Sequence, residues 1–322
     1  MPLLPRVTII TPSYNQAAFL EETIQSVLSQ AYPNLEYFIL DGGSTDGSVD
    51  IIRRYEDRLA GWVSQKDQGQ ADAINQGFAR ATGEIVAWLN SDDTYLPGAI
   101  ASAVAALQAQ PGAALVFGDV VSIDGSGETI NVMTYGNWDL DALMQFNIIG
   151  QPGVFMRRSA LEQAGGLDLS YHFLLDHHLW LRVAQQGTMY YVPQRWACAR
   201  FHADAKNVAQ AARFGQEAYR IVDWMAAQPG LEARYRRLHR RIWAGACRMD
   251  GRYLLDGGLP GPALRAYLRS LWAYPPIALP ELRRILFAAA SLVVNVDRLK
   301  QMYLHRRKAK FEPVESSKKS EP

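Results

Sequence analysis

Four short segments of this chain place acidic side chains just past apolar, β-branched runs. They are Asp41-Gly42-Gly43 after Glu36–Leu40, Lys66-Asp67 after Trp62-Val63, Asn90-Ser91-Asp92-Asp93 after Glu84–Leu89, and Asp119 after Leu115–Phe117. A fifth run, Val7–Thr11, ends in Pro12-Ser13-Tyr14-Asn15. If the runs are neighbouring strands of a parallel α/β sheet, these segments meet where such sheets bind ligands, outside the carboxyl ends of the strands. Carboxylates repel an anionic ligand, but they hold one through a divalent cation, which prefers hard oxygen donors. The pattern therefore points to a metal-bridged diphosphate, as in a nucleotide-sugar. His172, His177 and His178 cluster with Asp176, but no HExxH or paired-cysteine spacing supports a zinc site there.

The elements that must position these residues follow from periodicity. Over the first hundred or so residues, short β-branched runs alternate with helical spacing, such as Phe19, Leu20, Ile24, Val27 and Leu28, or Ala71, Ile74 and Phe78. That is the pattern of βαβ units and a parallel sheet. Asp124-Gly125-Ser126-Gly127, between Val120–Ile123 and Thr129–Met133, is a hairpin signal. Val154–Met156 and Met189–Val192 read as further strands, and Leu175 to Gln186 as a helix. Beyond about Lys206 the chain is mostly helical, and Met249 to Tyr274 reads as two packed helices joined by a Gly-rich turn.

Absences exclude neighbouring classes. Thr11–Gln16 holds neither glycine nor lysine, so the first strand is followed by neither GxGxxG nor GxxxxGK[ST]. The glycine-rich basic loop of nucleotidyltransferases is missing for the same reason. The chain has 322 residues, 33 Lys+Arg against 32 Asp+Glu, and a net charge of +1, which disfavours a nucleic-acid binder. Cys198 and Cys247 form no CxxC pair, so no disulfide framework is expected, in keeping with a reducing cytoplasm. We expect no signal peptide and no membrane span, since Ile285 to Val296 is too short to cross a bilayer.

Thr8-Ile9-Ile10-Thr11-Pro12-Ser13-Tyr14-Asn15, then Ile39-Leu40-Asp41-Gly42-Gly43-Ser44-Thr45-Asp46-Gly47-Ser48, then Ala81-Thr82-Gly83-Glu84, then Leu89-Asn90-Ser91-Asp92-Asp93 stand in the order and spacing of family 2 glycosyltransferases, which the chain resembles over roughly residues 5–205. The resemblance implies a GT-A type, Rossmann-like nucleotide-sugar-binding domain with a mainly parallel sheet, a nucleotide-sugar donor, Mn²⁺ or Mg²⁺, and inversion by a single displacement. Thr11, Pro12 and Tyr14 would line the nucleotide, Asp41 would contact the base and Asp67 would close on the nucleotide. Gly42 replaces a second aspartate common in the family. Asn90 replaces the first carboxylate of the DxD region, which leaves metal and diphosphate to Asp92 and Asp93, with Asp92 favoured. Asp176, ahead of Leu179-Trp180-Leu181-Arg182, matches the family's catalytic base, with Leu175 in place of a glutamate. His177 and His178 are expected to line the acceptor site or to sit at the helix surface. Gln151-Pro152-Gly153 resembles an acceptor-side loop, or is a plain turn. His202 resembles a histidine near the metal, or is a structural histidine.

The expected organisation is a catalytic domain over 1–205, a helical region over 206–311 and a disordered tail over 312–322. The acceptor is expected to be a glycan or a lipid-linked glycan. Arg298, Lys300, Arg306, Arg307, Lys308 and Lys310 follow an apolar stretch. They suit either peripheral contact with the inner face of a membrane or a helix packed on the catalytic domain with a solvated face. Two rivals stay open, a nucleotidyltransferase and a non-catalytic nucleotide- or glycan-binding relative, the latter because of Gly42 and Asn90.

Overall fold

The structure, a computed structural model, describes residues 4–202 and 210–293. The first four apolar runs become β1 (Val7–Ser13), β2 (Leu35–Asp41), β3 (Gly61–Ser64) and β4 (Ile85–Trp88). They pair in parallel in the order β3-β2-β1-β4. The helices between them, α1 (Ala17–Leu28), α2 (Ser48–Arg53) and α3 (Gln70–Arg80), make the crossovers that parallel pairing requires. Both faces of β1 are buried. Val7 and Ile9 join Leu20, Ile24 and Val27 of α1 in one core cluster, while Ile10 joins Ile74 of α3 in another. Gly77 permits the second contact, because a Cβ there would stand 2.5 Å from Ile10 Cγ2.

Beyond β4 the sheet becomes mixed. The elements are β5 (Thr94–Tyr95), α4 (Ala99–Ala109), β6 (Ala113–Asp124), β7 (Thr129–Met133), α5 (Leu140–Met144), β8 (Val154–Arg157), α6 (Arg158–Ala164), α7 (Leu175–Val183) and β9 (Thr188–Phe201). The sheet order continues β4-β8-β6-β9-β5, with β7 on β6 as the expected hairpin. β8 runs antiparallel to both β4 and β6, and β9 runs parallel to β6. The runs on either side of Gly118-Asp119, expected as separate strands, are one strand. A Cβ at Gly118 would meet the Trp196 ring at 2.5 Å, so glycine lets β9 cross there. β9 also extends past its expected end at Val192. Its register with β6 jumps from Val192 to Arg195, which bulges Pro193 and Gln194 out of the ladder. A bulge is where a strand tolerates proline.

The C-terminal helices are α8 (Phe214–Ala227), α9 (Glu232–Asp256), α10 (Pro260–Ala273), α11 (Pro275–Ala278) and α12 (Leu282–Val293). The Gly-rich turn expected within Met249–Tyr274 joins α9 and α10, but α9 is not a short helix, since it begins at Glu232 and runs for 25 residues. Phe214, Ile221, Val222, Met225, Leu231, Leu238, Ile242 and Met249 enter the same core cluster as Trp88, Leu174, Leu179 and Trp180. The expected division near residue 205 is therefore not a division of the core. Among the described residues no helix is long and apolar enough to cross a membrane. The basic run after 296 and the tail from 312 lie outside the described residues.

Candidate active site

Register places Ser13, Asp41 and Ser64 side by side at the tips of β1, β2 and β3. The Asp41 carboxylate is buried, and its oxygens are taken up by its own loop. Oδ2 accepts from the Gly43 and Ser44 backbone N–H groups (3.1 and 2.9 Å) and from Ser64 Oγ (2.7 Å), and Oδ1 accepts from Ser44 Oγ (2.5 Å). Oδ1, with a single bond, keeps a lone pair for the expected base contact. Asp41 shapes the loop that a nucleotide would meet. Thr11 and Pro12 are buried as well, and Thr11 Oγ1 shares a hydrogen bond with Tyr37 Oη at 3.0 Å. Of the three residues expected to line a nucleotide at the end of β1, Tyr14 alone faces solvent, 63% exposed.

The segment Ser44–Ser48 ties this loop to the one after β1. Ser44 Oγ accepts from Asn15 N, Asp46 Oδ2 from Ala17 N and Ser48 Oγ from Gln16 N, at 2.8, 2.8 and 3.1 Å. Two bonds from Ser48 to Asp46 Oδ1 help hold the Asp46 carboxyl below its ordinary pKa. Asp67 stands against Gly42. A Cβ at residue 42 would lie 2.9 Å from Asp67 Oδ2, so the Asp67 carboxylate fills the space that an aspartate at 42 would need.

The turn after β4 brings its carboxylates together with β9. Asp92 is one-fifth exposed, and its Oδ2 lies 3.2 Å from His202 Nε2. The His202 ring packs on Phe19 at 4.9 Å. Asp93 points inward. It accepts from the Arg200 backbone N–H (2.9 Å) and from Asn90 Nδ2 (3.2 Å). Burial first, and the Asp92 charge second, raise its pKa well above the carboxylate range. Asp93 thus serves the packing of the turn, whereas Asp92, one-fifth exposed, meets the buried His202 ring at the edge of the turn. Arg200, which the sequence reading missed, fixes this arrangement. Its Nε donates to the Asp92 carbonyl (3.0 Å), its Nη2 pairs with Glu22 (2.6 Å), and its guanidinium covers the Phe19 ring. It stands two residues before His202, which directly follows β9, and that alternation was the available signal.

Asn90 forms a relay in place of a carboxylate. It accepts from Gln70 Nε2 (2.8 Å) and donates to Gln151 Oε1 (3.0 Å), while Gln151 Nε2 donates to the Trp88 carbonyl (2.7 Å). Gln151 is buried in this relay, which corrects its expected place at the acceptor surface.

Asp176 lies in the first turn of α7 and is partly exposed. Trp180, one turn further along on the same face, stacks on Trp88 at 5.1 Å. The stack brings α7 to the end of β4, two residues before Asn90. Burial pushes the Asp176 carboxyl up to about 6, against the His177 N–H bond (2.7 Å) that favours its ionised form. A helix N-terminus favours the ionised form, and desolvation outweighs it. Tyr135 feels the Asp176 charge, and its ring touches Trp138 and Tyr191. His177 and His178 are buried. His177 stacks on Phe146 at 5.3 Å, and His178 lies against Tyr171 (4.2 Å) and Trp224 (4.6 Å). Burial lowers their pKa values to about 4 and about 3. The Leu143 backbone opposes the drop at His177 without meeting hydrogen-bond geometry. Both rings are core groups, so the expected acceptor contact is corrected for each.

A second missed residue holds the approach to α7. Glu217 of α8 is buried, and its carboxylate accepts from the backbone N–H groups of His172, Phe173 and Leu174 at 2.7, 2.8 and 2.8 Å. Glu217→Ala leaves these donors unpaired, at a cost of about 2–4 kcal/mol. Urea unfolding should show the midpoint fall accordingly, and an unchanged midpoint would mean that the segment is held by something else.

Residues 8–163 match the family model described as Glycosyl transferase family 2. The PGL/p-HBAD biosynthesis glycosyltransferase of Mycobacterium bovis is 32% identical over 176 residues, 53% of this chain and 67% of that protein. The chain belongs to glycosyl transferase family 2. The O-antigen biosynthesis protein RfbC of Myxococcus xanthus is 31% identical to this family 2 member over 186 residues, 56% of this chain and 14% of RfbC. The chain spans 14% to 40% of the length of several of the curated relatives it matches. Among solved structures, the mannosyltransferase PcManGT from Pyrobaculum calidifontis, in complex with GDP-Man and Mn²⁺, shares its fold with a TM-score of 0.60. That alignment has 20% sequence identity and covers 96% of this chain and 85% of the other. The fold of this family 2 member is thus of the GT-A type, with the helical C-terminal region expected from the sequence.

Among the described residues no three His, Cys, Asp or Glu side chains converge as a metal cage. The Asp92–His202 pair nonetheless fits a divalent cation shared with a substrate. It offers one carboxylate oxygen and one imidazole nitrogen, and such ions commonly complete their shell with phosphate oxygens and water.

Proposed function

We propose that this family 2 member is an inverting glycosyltransferase that moves a sugar from a nucleoside-diphosphate sugar to a hydroxyl of a glycan or lipid-linked acceptor. The observation that carries this reading is the placing of two unlike acidic sites at one end of the sheet. Asp92 is partly exposed beside His202, and Asp176 is a carboxyl of raised pKa on the helix stacked against the end of β4. Tyr14, on the loop fastened by Ser44 and Asp46, packs along the nucleotide. Asp67, seated over Gly42, closes the opposite side of the same loop. Asp92 and His202 would hold Mn²⁺ or Mg²⁺, which supplies Lewis-acid neutralisation of the leaving diphosphate. Asp176 takes the acceptor hydroxyl's proton as that oxygen attacks the anomeric carbon from the face opposite the diphosphate. A carboxylate with a pKa near 6 is ionised at neutral pH and is a stronger base than an exposed one. Tyr135, Trp138 and Tyr191 form the aromatic wall on the acceptor side, where flat rings suit the apolar faces of sugars. The names of RfbC, an O-antigen biosynthesis protein, and of the mycobacterial PGL/p-HBAD biosynthesis glycosyltransferase support a cell-envelope glycan or glycolipid as the product.

Nucleoside diphosphates should raise the melting temperature of this protein with Mn²⁺ present and leave it unchanged with EDTA. Asp92→Asn should abolish most of the Mn²⁺-dependent shift. Equal stabilisation in EDTA and in Mn²⁺ would remove the metal role from Asp92. Release of the nucleoside diphosphate on sugar transfer, with inverted anomeric configuration in the product, tests the reaction itself.

A further inference from the structure

At the end of α5, Phe146 takes a left-handed backbone, φ 60°, which a bulky residue adopts only when its surroundings enforce it. Its carbonyl accepts from Arg248 Nη2 of α9 at 2.7 Å, and its ring is the one stacked on His177. Arg248 Nε is buried and has no hydrogen-bond partner among the described residues. Burial lowers the pKa of this guanidinium, Glu281 opposes the drop, and Arg252 adds to it. Glu281 is bonded to Arg284 at 3.3 Å, so its charge is already shared.

Beside Arg248 lies a cavity of about 170 Å³, lined by Gln145, Asn147, Arg248, Pro276, Ile277 and Pro280. One water needs about 10–15 Å³ by the same measure, so the space suits a small polyatomic group. Its lining offers one guanidinium and two amides, with an apolar wall of two prolines and an isoleucine and no carboxylate. A desolvated guanidinium that lines such a space is stabilised by an anion, and its fork matches phosphate oxygens in particular. We infer that this cavity binds a phosphate group, either a free phosphate ion or the headgroup of a lipid. Leu279 and Leu282, 52% and 47% exposed, belong to the same segment as Ile277 and Pro280 and supply apolar surface for a lipid source. The site is separate from the donor site at the strand tips. It touches α7 through the Arg248–Phe146–His177 contacts.

The test reads Arg248 directly. In EDTA, which leaves the proposed metal-dependent donor site out of the measurement, inorganic phosphate should move the Arg248 Nε–H resonance saturably, while chloride at equal ionic strength should not. Arg248→Lys removes that resonance and so assigns it. Asn147→Asp places a carboxylate in the cavity, leaves the Arg248–Phe146 bond in place and should weaken phosphate at least tenfold. Vesicles of phosphatidylcholine with phosphatidylglycerol, against phosphatidylcholine alone, distinguish the sources. Sedimentation with the anionic vesicles that Asn147→Asp abolishes assigns a lipid headgroup, and a response to inorganic phosphate alone assigns the free ion. An Arg248 resonance unmoved by either probe, or moved equally in Asn147→Asp, overturns the inference. Because the readout is at Arg248, loss of donor binding or of transfer activity leaves it interpretable.

Discussion

Asp176→Asn should lower sugar transfer by about 10²–10⁴-fold while Mn²⁺-dependent donor binding persists. The substitution keeps the size of the side chain and removes the proton acceptor, and the donor-side groups Asp92 and His202 belong to other elements. The wild-type pH profile of kcat/KM should show an acid limb near pH 6, since burial pushes the Asp176 carboxyl up to about 6. Stability should move the other way. The folded pKa is raised above the unfolded value of about 3.9, so this carboxyl favours folding below pH 4, and its contribution is lost as pH rises towards and through 6. At pH 7 to 8 the native state therefore carries a partly desolvated charge that asparagine lacks. Discounted for partial exposure, the variant should be about 1–2 kcal/mol more stable there, with the gain vanishing at pH 4. Glu217→Gln removes a neighbouring negative charge and should shift the acid limb to lower pH. Wild-type turnover in Asp176→Asn would take the base role from this residue. A loss of both stability and donor binding would instead mark Asp176 as structural.

The parallel half of the sheet could be read from the sequence because burial on both faces writes β-branched runs, and helical spacing between them dictates crossovers. The mixed half could not. Thr94–Tyr95 is too short to carry a period, and β9 continues through Pro193 only because a bulge ejects it. Residue type located the site better than it assigned the roles. Asp41, Asp93 and Gln151 are polar groups at the right place whose side chains face inward, and a sequence does not say which way a carboxylate at a strand tip turns. His177 and His178 show the same limit on a helix, since both faces of α7 are covered. The two departures from the family's pattern acquire a physical account. Asp67 occupies the volume freed at Gly42, and Asn90 works as both donor and acceptor between Gln70 and Gln151, which a carboxylate could not do.

A chain ended after residue 205 should fail to form a cooperative native domain, although every donor-site residue lies before that point. The amphipathic pattern of residues 214–249 suits a separate bundle as well as a cover for the sheet, and the structure shows the cover. Trp224 packs on His178, Phe214 on Phe173, and the apolar side chains of α8 and α9 complete the cluster around Trp88 and Trp180. Removing them returns Tyr171, Leu174, Leu175 and neighbouring apolar surface to water. At about 1.5–3 kcal/mol for each large side chain, exposing several of these reaches the whole 5–15 kcal/mol by which a domain is stable. The same cut deletes Glu217 and leaves three backbone donors at the entry to α7 without acceptors, so the segment carrying Asp176 loses its fixed position. The 1–205 fragment should be insoluble or should melt without a cooperative transition. A 1–293 chain, which keeps every described element, should melt cooperatively and show the Mn²⁺-dependent shift with nucleoside diphosphate. A soluble 1–205 fragment with a sharp transition and that same shift would show that the strand-tip site folds without its helical cover, and that α8 and α9 serve the acceptor side alone.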